Sequence, residues 1–381
     1  MTTSARRATE AESPQDLAHA PLGRALLRAE QAHRGLLPWQ EVHAAFAACT
    51  RQPLVTGPEA SLYFGAPAVA FALNAAAAGS HRFTRTREVL HAKVVAVAER
   101  RIALAHRRID RAQRPRPSEY DLFYGLTGLG AYFLHCDPSS GTLREIVAYL
   151  VRLVRPLEGL PGWWTPLSPS GTVSTDFPAG HANAGMAHGI AGPLSLLALC
   201  LRHGITVDGQ GDAVREICAW LDRHRRDGRA EAWWPPWTTS TDQHQNNGPS
   251  AAPRPSWCYG TPGIARAQQL AGIALGDVDR QELAEQALID CLADPDQLQQ
   301  VTDPGICHGA AGVLFATQHV ARDAAPGRFT DHLEPVRRLL HEFPTAGHGG
   351  LLDGSSGTAL AQLADENGGT ATDWHHCLLV G

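Results

Sequence analysis

The sequence predicts an all-α fold, an (α/α)6 toroid in which six inner glycine-led helices ring an axis and six outer helices shield them. Three observations lead there. A Gly-x-x-Gly element followed by an apolar helical run recurs along the chain. The intervals between copies hold two helices and their loops. Polar amphipathic stretches alternate with the apolar runs.

Taken in order, residues 1–20 are polar, charged and rich in Ala and Ser, with no apolar face to offset the entropy of ordering. A disordered tail is expected there, with a single toroid domain over residues 21–381. The first copy is degenerate, Gly65-Ala66-Pro67-Ala68 ahead of an apolar run. Full copies begin at Gly125, Gly189, Gly260, Gly309 and Gly354, so successive first glycines are 60, 64, 71, 49 and 45 residues apart. Between them lie amphipathic segments over 87–112, 142–157, 212–226, 277–292 and 328–343. In the second of these, Ile146, Val147, Leu150, Val151 and Val154 recur at helical spacing. Each glycine costs about 1 kcal/mol inside a helix relative to Ala. Close approach of neighbouring inner helices is the expected return.

Composition narrows the function classes. A chain of 381 residues that is 44% hydrophobic can bury a large core. With 33 basic and 38 acidic residues and no basic tract interleaved with aromatics, nucleic acid is not an expected partner. No apolar run reaches membrane-spanning length and no signal peptide opens the chain, so a cytoplasmic protein with no transmembrane segment is expected. Eight cysteines spread this thinly point to reduced thiols. Cys200 and Cys218 sit in apolar runs as ordinary core residues.

Aligning the copies gives the flanking residues a shared address on one rim. The position before the first glycine holds Phe64, Tyr124, His188, Tyr259, His308 and Asp353. The position before that holds Tyr63, Phe123, Ala187, Cys258, Cys307 and Leu352. Cys258, Cys307 and His308 therefore form a candidate zinc set, two soft thiolates and one imidazole. Three protein ligands would leave a fourth position open, as in catalytic zinc sites. Spacing alone leaves two alternatives open: a closed structural site, or two buried cysteines beside an unrelated histidine. Asp121 reads by itself as a helix cap, Asp353 likewise, and His375-His376 as an incidental polar pair. Trp163-Trp164 and the Trp233 to Trp237 run lie in long loops before the His188 and Cys258 elements, as loop packing or as the wall of a peptide groove. Residues 243–255, rich in Asn, Gly, Ser and Pro, are expected to form a mobile loop over the site.

Trp257-Cys258-Tyr259-Gly260-Thr261-Pro262-Gly263, Cys307-His308-Gly309-Ala310-Ala311-Gly312 and Ala187-His188-Gly189-Ile190-Ala191-Gly192 resemble the signature motifs of the lanthionine synthetase C-like proteins, the lanthipeptide cyclases. The resemblance runs from about Leu62 to the closing segment around Asp373-Trp374. It implies the toroid and one Zn²⁺ per chain, held by Cys258, Cys307 and His308. It further implies addition of a precursor-peptide cysteine thiol across dehydroalanine or dehydrobutyrine, forming lanthionine thioether rings in antibiotic biosynthesis. By the same resemblance His188 is the acid/base, Asp121 its orienting partner, Arg254 a stabiliser of enolate charge and Tyr259 a group shaping the site. The expected partners are a dehydrated precursor peptide and a dehydratase enzyme. Three rival functions are a prenyltransferase-like zinc thiol alkylation, addition of glutathione to dehydrated residues, and a noncatalytic peptide-binding scaffold with structural zinc.

Overall fold

The computed structural model describes residues 13–19, 21–227, 232–240, 252–343 and 349–381. All six expected glycine-led inner helices form: Ala66–Ala77, Leu126–Cys136, Ala191–Arg202, Thr261–Leu275, Ala310–Asp323 and Ser355–Glu366. They are buried nearly all round; in Ala66–Ala77 every residue is buried. The outer layer consists of Trp39–Cys49, Thr84–Asp110, Gly141–Val154, Gln210–His224, Val278–Ala293 and Thr330–Glu342. These bury one stripe only, and in Gly141–Val154 that stripe includes Ile146, Val147, Leu150, Val151 and Val154, as the spacing predicts.

A seventh inner helix, Pro21–His33, stands between Ser355–Glu366 and Ala66–Ala77 and closes the ring. Its leader is His19-Ala20-Pro21-Leu22-Gly23, in which Ala20 takes the place of the first glycine. That substitution hides the copy from a search on paired glycines. The expected tail boundary at residue 20 is corrected with it, because Leu17 and Ala18 are fully buried in the core. Apolar burial and backbone pairing offset the ordering entropy of residues 13–19. Residues 1–12 lie outside the described part, as do 243–251 of the expected mobile loop.

The glycines serve a tighter purpose than helix–helix approach. A Cβ on Gly128, Gly192, Gly263, Gly312 or Gly357 would run into the carbonyl oxygen of the residue six earlier, respectively Leu122, Met186, Trp257, Ile306 and Leu351. The incoming loop of each repeat therefore folds back on the first turn of its own helix. Neighbouring repeats add a second contact, for instance the Leu122 side chain against Gly192 and Ile306 against Gly357.

These loops are stitched together around the rim by backbone hydrogen bonds. Leu122 N–H donates to Ala187 O (3.1 Å), Ala187 N–H to Cys258 O (3.2 Å), Cys258 N–H to Cys307 O (3.1 Å) and Cys307 N–H to Leu352 O (3.0 Å). Leu352 N–H then donates to Ala18 O (2.9 Å), and Leu17 N–H to Tyr63 O (2.9 Å). The belt links the alignment position that carries both candidate thiolates. Below it the C-terminal segment fills the inside of the ring: Tyr63 hydroxyl donates to Cys377 O (2.8 Å), Trp257 Nε1 to Leu378 O (3.0 Å) and Arg266 Nε to Val380 O (2.7 Å). Among the described residues no helix is long and apolar enough to cross a membrane.

Candidate active site and metal centre

The belt brings Cys258 and Cys307 side by side from adjacent repeats, and the turn before Gly309 adds His308. The donor atoms of these three residues all lie within 4.8 Å of one another. Four ligands at zinc bond lengths of about 2.0–2.3 Å sit roughly 3.5–3.8 Å apart, so a small contraction would close the set around a metal. One of the two thiols is acidified by this arrangement. Cys258 is held as thiolate by a hydrogen bond from Cys307, against the cost of burial, with His308 and Ser256 adding to the effect. Cys307 keeps the shared proton, its thiol pushed up by the same hydrogen bond and by burial. Cys200 and Cys218, by contrast, are pushed up to about 12, chiefly by desolvation, and are inert core thiols.

His188 faces the metal set across a cavity of about 420 Å³ that His188, Cys307 and His308 all line. Its Nδ1 lies 2.8 Å from Asp121 Oδ2. A carboxylate can only accept there, so Nδ1 carries the proton and Nε2 is left for the cavity. Asp121 is 1% exposed, and its other oxygen accepts from the backbone N–H of Tyr124 (2.6 Å) and Gly125 (2.7 Å). The cap and the orienting partner are thus one side chain using two oxygens. Tyr124 stacks on the His188 ring at 5.7 Å and 23°, with Phe123 at 5.2 Å and Tyr259 at 6.2 Å.

Tyr259 packs beside His188 with Asn183 Nδ2 3.5 Å from its hydroxyl, and burial pushes its phenol up, so it keeps its proton. Arg254 stands further out. Its side chain is 37% exposed and its Nη1 lies 3.5 Å from Asp303 Oδ2, which in turn is 3.7 Å from His308 Nε2. Neither Tyr259 nor Arg254 lines the cavity.

Four participants escape a reading by motif. Asp303 stands six residues before Gly309 and accepts from Gly305 N–H (3.0 Å), as Asn183, six before Gly189, accepts from Gly185 N–H (2.9 Å). A polar side chain four or six residues ahead of the first glycine, Asp121 and Ser256 included, was the available signal. Asp353, expected to be a cap, faces His308 Nδ1 at 3.8 Å and His19 Nε2 at 3.1 Å. His19 also meets Asp16 Oδ2 at 3.4 Å, and the two carboxylates raise its pKa to about 10. Of the tryptophans, Trp163, Trp164, Trp233 and Trp234 are buried, which makes them loop packing, while Trp237 is 38% exposed and meets Tyr259 edge-on at 6.4 Å. His375 and His376 are not incidental: they join a histidine cluster at the far end of the inner helices.

A glycine-led helical toroid with a Cys/Cys/His set on its rim defines a class, and comparison places the chain in it. The family model for lanthionine synthetase C-like protein matches residues 20–379, and the chain belongs to that family. Nisin biosynthesis protein NisC of Lactococcus lactis subsp. lactis is 25% identical over 274 residues. That alignment takes in 69% of this chain and 65% of the relative, just under two thirds of its length. A solved structure of nisin cyclase superposes with a TM-score of 0.78 at 21% identity, covering 99% of this chain and 95% of the other. The toroid is the shared fold.

Proposed function

We propose that this protein is a zinc-dependent lanthipeptide cyclase, adding cysteine thiols of a precursor peptide to its own dehydroalanine or dehydrobutyrine residues. The observation that carries the reading is the convergence of Cys258, Cys307 and His308 on one point across a cavity from a carboxylate-oriented His188. Family membership supports it. Two cysteines and one histidine fit zinc in donor type and number, and zinc held there would take a substrate sulfur as its fourth ligand and keep it ionised at neutral pH.

The chain's own residues then do the following. The substrate thiol gives up its proton to the free Nε2 of His188, its sulfur bonds to the β-carbon, and the carbon–carbon π pair moves onto the amide as an enolate. His188 Nε2, protonated and held by Asp121, delivers a proton to the α-carbon and completes the thioether. General acid catalysis of this kind contributes on the order of 10² to 10⁴ in rate. The Tyr259 phenol and, on swinging in from Asp303, the Arg254 guanidinium supply hydrogen bonds to the enolate oxygen. Aromatic rings around His188 keep water from competing with the thiol. The double bonds themselves require a prior dehydration of Ser or Thr, so a dehydratase is the expected partner.

The test is incubation with a dehydrated precursor peptide, counting free thiols before and after by alkylation and mass spectrometry. Thiols should disappear without change in peptide mass, and metal analysis should find one zinc per chain. Active protein without zinc would sink the mechanism.

A further inference from the structure

One outer helix is set apart by its charge. Residues 84–116, the helix Thr84–Asp110 and the six residues after it, hold ten arginines and lysines against three carboxylates, in a chain whose net charge is -5. The outer helix Val278–Ala293, by contrast, holds Arg280 against Asp279, Glu282, Glu285 and Asp290. With 3.6 residues per turn, Arg85, Lys93, Arg100, Arg107 and the cap residue Arg111 fall within about 40° of one line, about 39 Å long. All five are exposed, and none is ion-paired among the described residues; Arg100 donates only to the Thr56 carbonyl, at 2.8 Å. Between them on the same face lie Val89, Ala92, Ala96, Ala103 and Leu104, where an outer helix ordinarily shows polar side chains to water. All five are exposed, Val89 by 55% and Leu104 by 60%. The carboxylates Glu88, Glu99 and Asp110 lie roughly 60–100° to one side, and Asp110 is taken by Arg152 at 2.6 Å. The stripe passes beside the site: Arg101 of the same helix donates to Ala60 O (3.0 Å) and to Tyr124 O, and Tyr124 lines the cavity.

We propose that this face is a docking track for an acidic amphipathic helical segment of the peptide substrate, joined to the residues that react. Carboxylates at every third or fourth position of such a segment meet Arg85, Lys93, Arg107 and Arg111, and its apolar residues pack on the alanines, whose small side chains let two helices approach closely. Apolar side chains set between the cations favour a polypeptide over a phosphate backbone, which gains nothing from them. The cavity of about 420 Å³ is of the size that encloses a small ligand, so it holds the reacting pair and little else of a peptide. Docking the rest alongside raises the effective concentration of the reacting residues at the site to about the millimolar range. The inference rests on the proposed peptide substrate, and it assigns the part that does not react to particular side chains.

Fluorescence anisotropy with the full-length protein reads docking without turnover or metal. The probe is a labelled synthetic helix of about 25 residues with Glu and Leu repeating at helical spacing, and a second probe carries Lys in place of Glu. The Glu probe should bind and weaken with salt, and the Lys probe should not bind. Lys93→Glu combined with Arg107→Glu should loosen the Glu probe about ten-fold or more and admit the Lys probe, a reversal that misfolding does not produce. Arg215→Glu, on another outer helix, should move neither probe. Fusing the Glu segment through a flexible linker to a short dehydrated cysteine peptide should lower KM about ten-fold and leave kcat within about two-fold. A Glu probe that does not bind, or that ignores the double reversal, sinks the track. Tighter binding of phosphatidylserine vesicles or duplex DNA than of the Glu probe gives the face to another class of partner, and a fusion without effect on KM overturns the assignment to the substrate. If the Glu probe docks as expected yet no thiol disappears from any dehydrated peptide, the cyclase reading fails while the peptide track stands.

Discussion

Histidines gather at both ends of the inner helices, and the two groups live in opposite electrostatic worlds. At the rim His19 lies between Asp16 and Asp353, His188 against Asp121, and His308 between Asp303 and Asp353. At the far end His135, His319, His375 and His376 stack on one another with centroids 4.6–5.3 Å apart. Burial pushes His135 down to about 3 and His319, His375 and His376 down as well, each helped by neighbouring histidines or arginines. The rim pairs imidazoles with carboxylates, and the proposed function draws on two of them, His188 and His308. The far end buries them neutral, as packing material around the C-terminal plug.

The largest way to break this contrast is to exchange roles at one ring. His188→Asn should lower cyclisation by 10²-fold or more while zinc content and the unfolding midpoint stay near wild type. His375→Asn should do the reverse, costing stability with little change in turnover per folded molecule. Mass spectrometry with thiol alkylation, metal analysis and urea titration separate the outcomes; a fully active His188→Asn protein removes it from the acid role.

The second contrast concerns backbone. Gly357→Ala at the rim forces a Cβ into the Leu351 carbonyl, and about 2–4 kcal/mol of stability should be lost, with zinc retention impaired because the belt shifts. Gly79→Ala at the far end has open space around it and only a positive φ of 74° to contend with, so about 1 kcal/mol is expected. Equal costs in urea unfolding would mean that the rim loops have room to relax.

Acidification should sharpen the contrast further. The far-end histidines have depressed folded pKa values, so below about 6.5 the unfolded chain takes up protons that the folded chain refuses, and stability falls as pH drops. The melting temperature should decline between pH 7 and 5, before most carboxylates titrate, and His375→Gln should flatten that slope. His19 has the opposite sign. Its raised pKa gives a stabilisation present in full below about 6.5 and lost as pH climbs through about 10, so His19→Gln should cost stability at pH 7 and nothing above that upper limit. This is the smallest effect, because more than a third of the ring is exposed.

The repeat was legible because its cause is local. A loop that folds back onto the first turn of its own helix leaves no room for a Cβ, so glycine recurs at a fixed offset from the apolar run, and the outer helices announce themselves by spacing. Cys258, Cys307, His308 and His188 were legible because that register gives them a common address and because their motifs are specific, whereas Asp121 read by itself as a cap and was picked out only through the family resemblance. The seventh helix was not, since Ala20 stands where the pattern demands glycine and the segment before it reads as polar. Asp16, His19, Asp303 and Asp353 were not, since single polar residues ahead of a helix look like caps.

What the sequence by itself determined is the toroid, the rim and the residue types collected there, all consequences of short-range sterics and helical period. What only the tertiary structure decided is who meets whom across the ring. Cys258 reaches Cys307 through a hydrogen bond between repeats 49 residues apart, and His19 reaches Asp353 across the ring closure, 334 residues along the chain. Such contacts depend on ring closure, which no local pattern encodes.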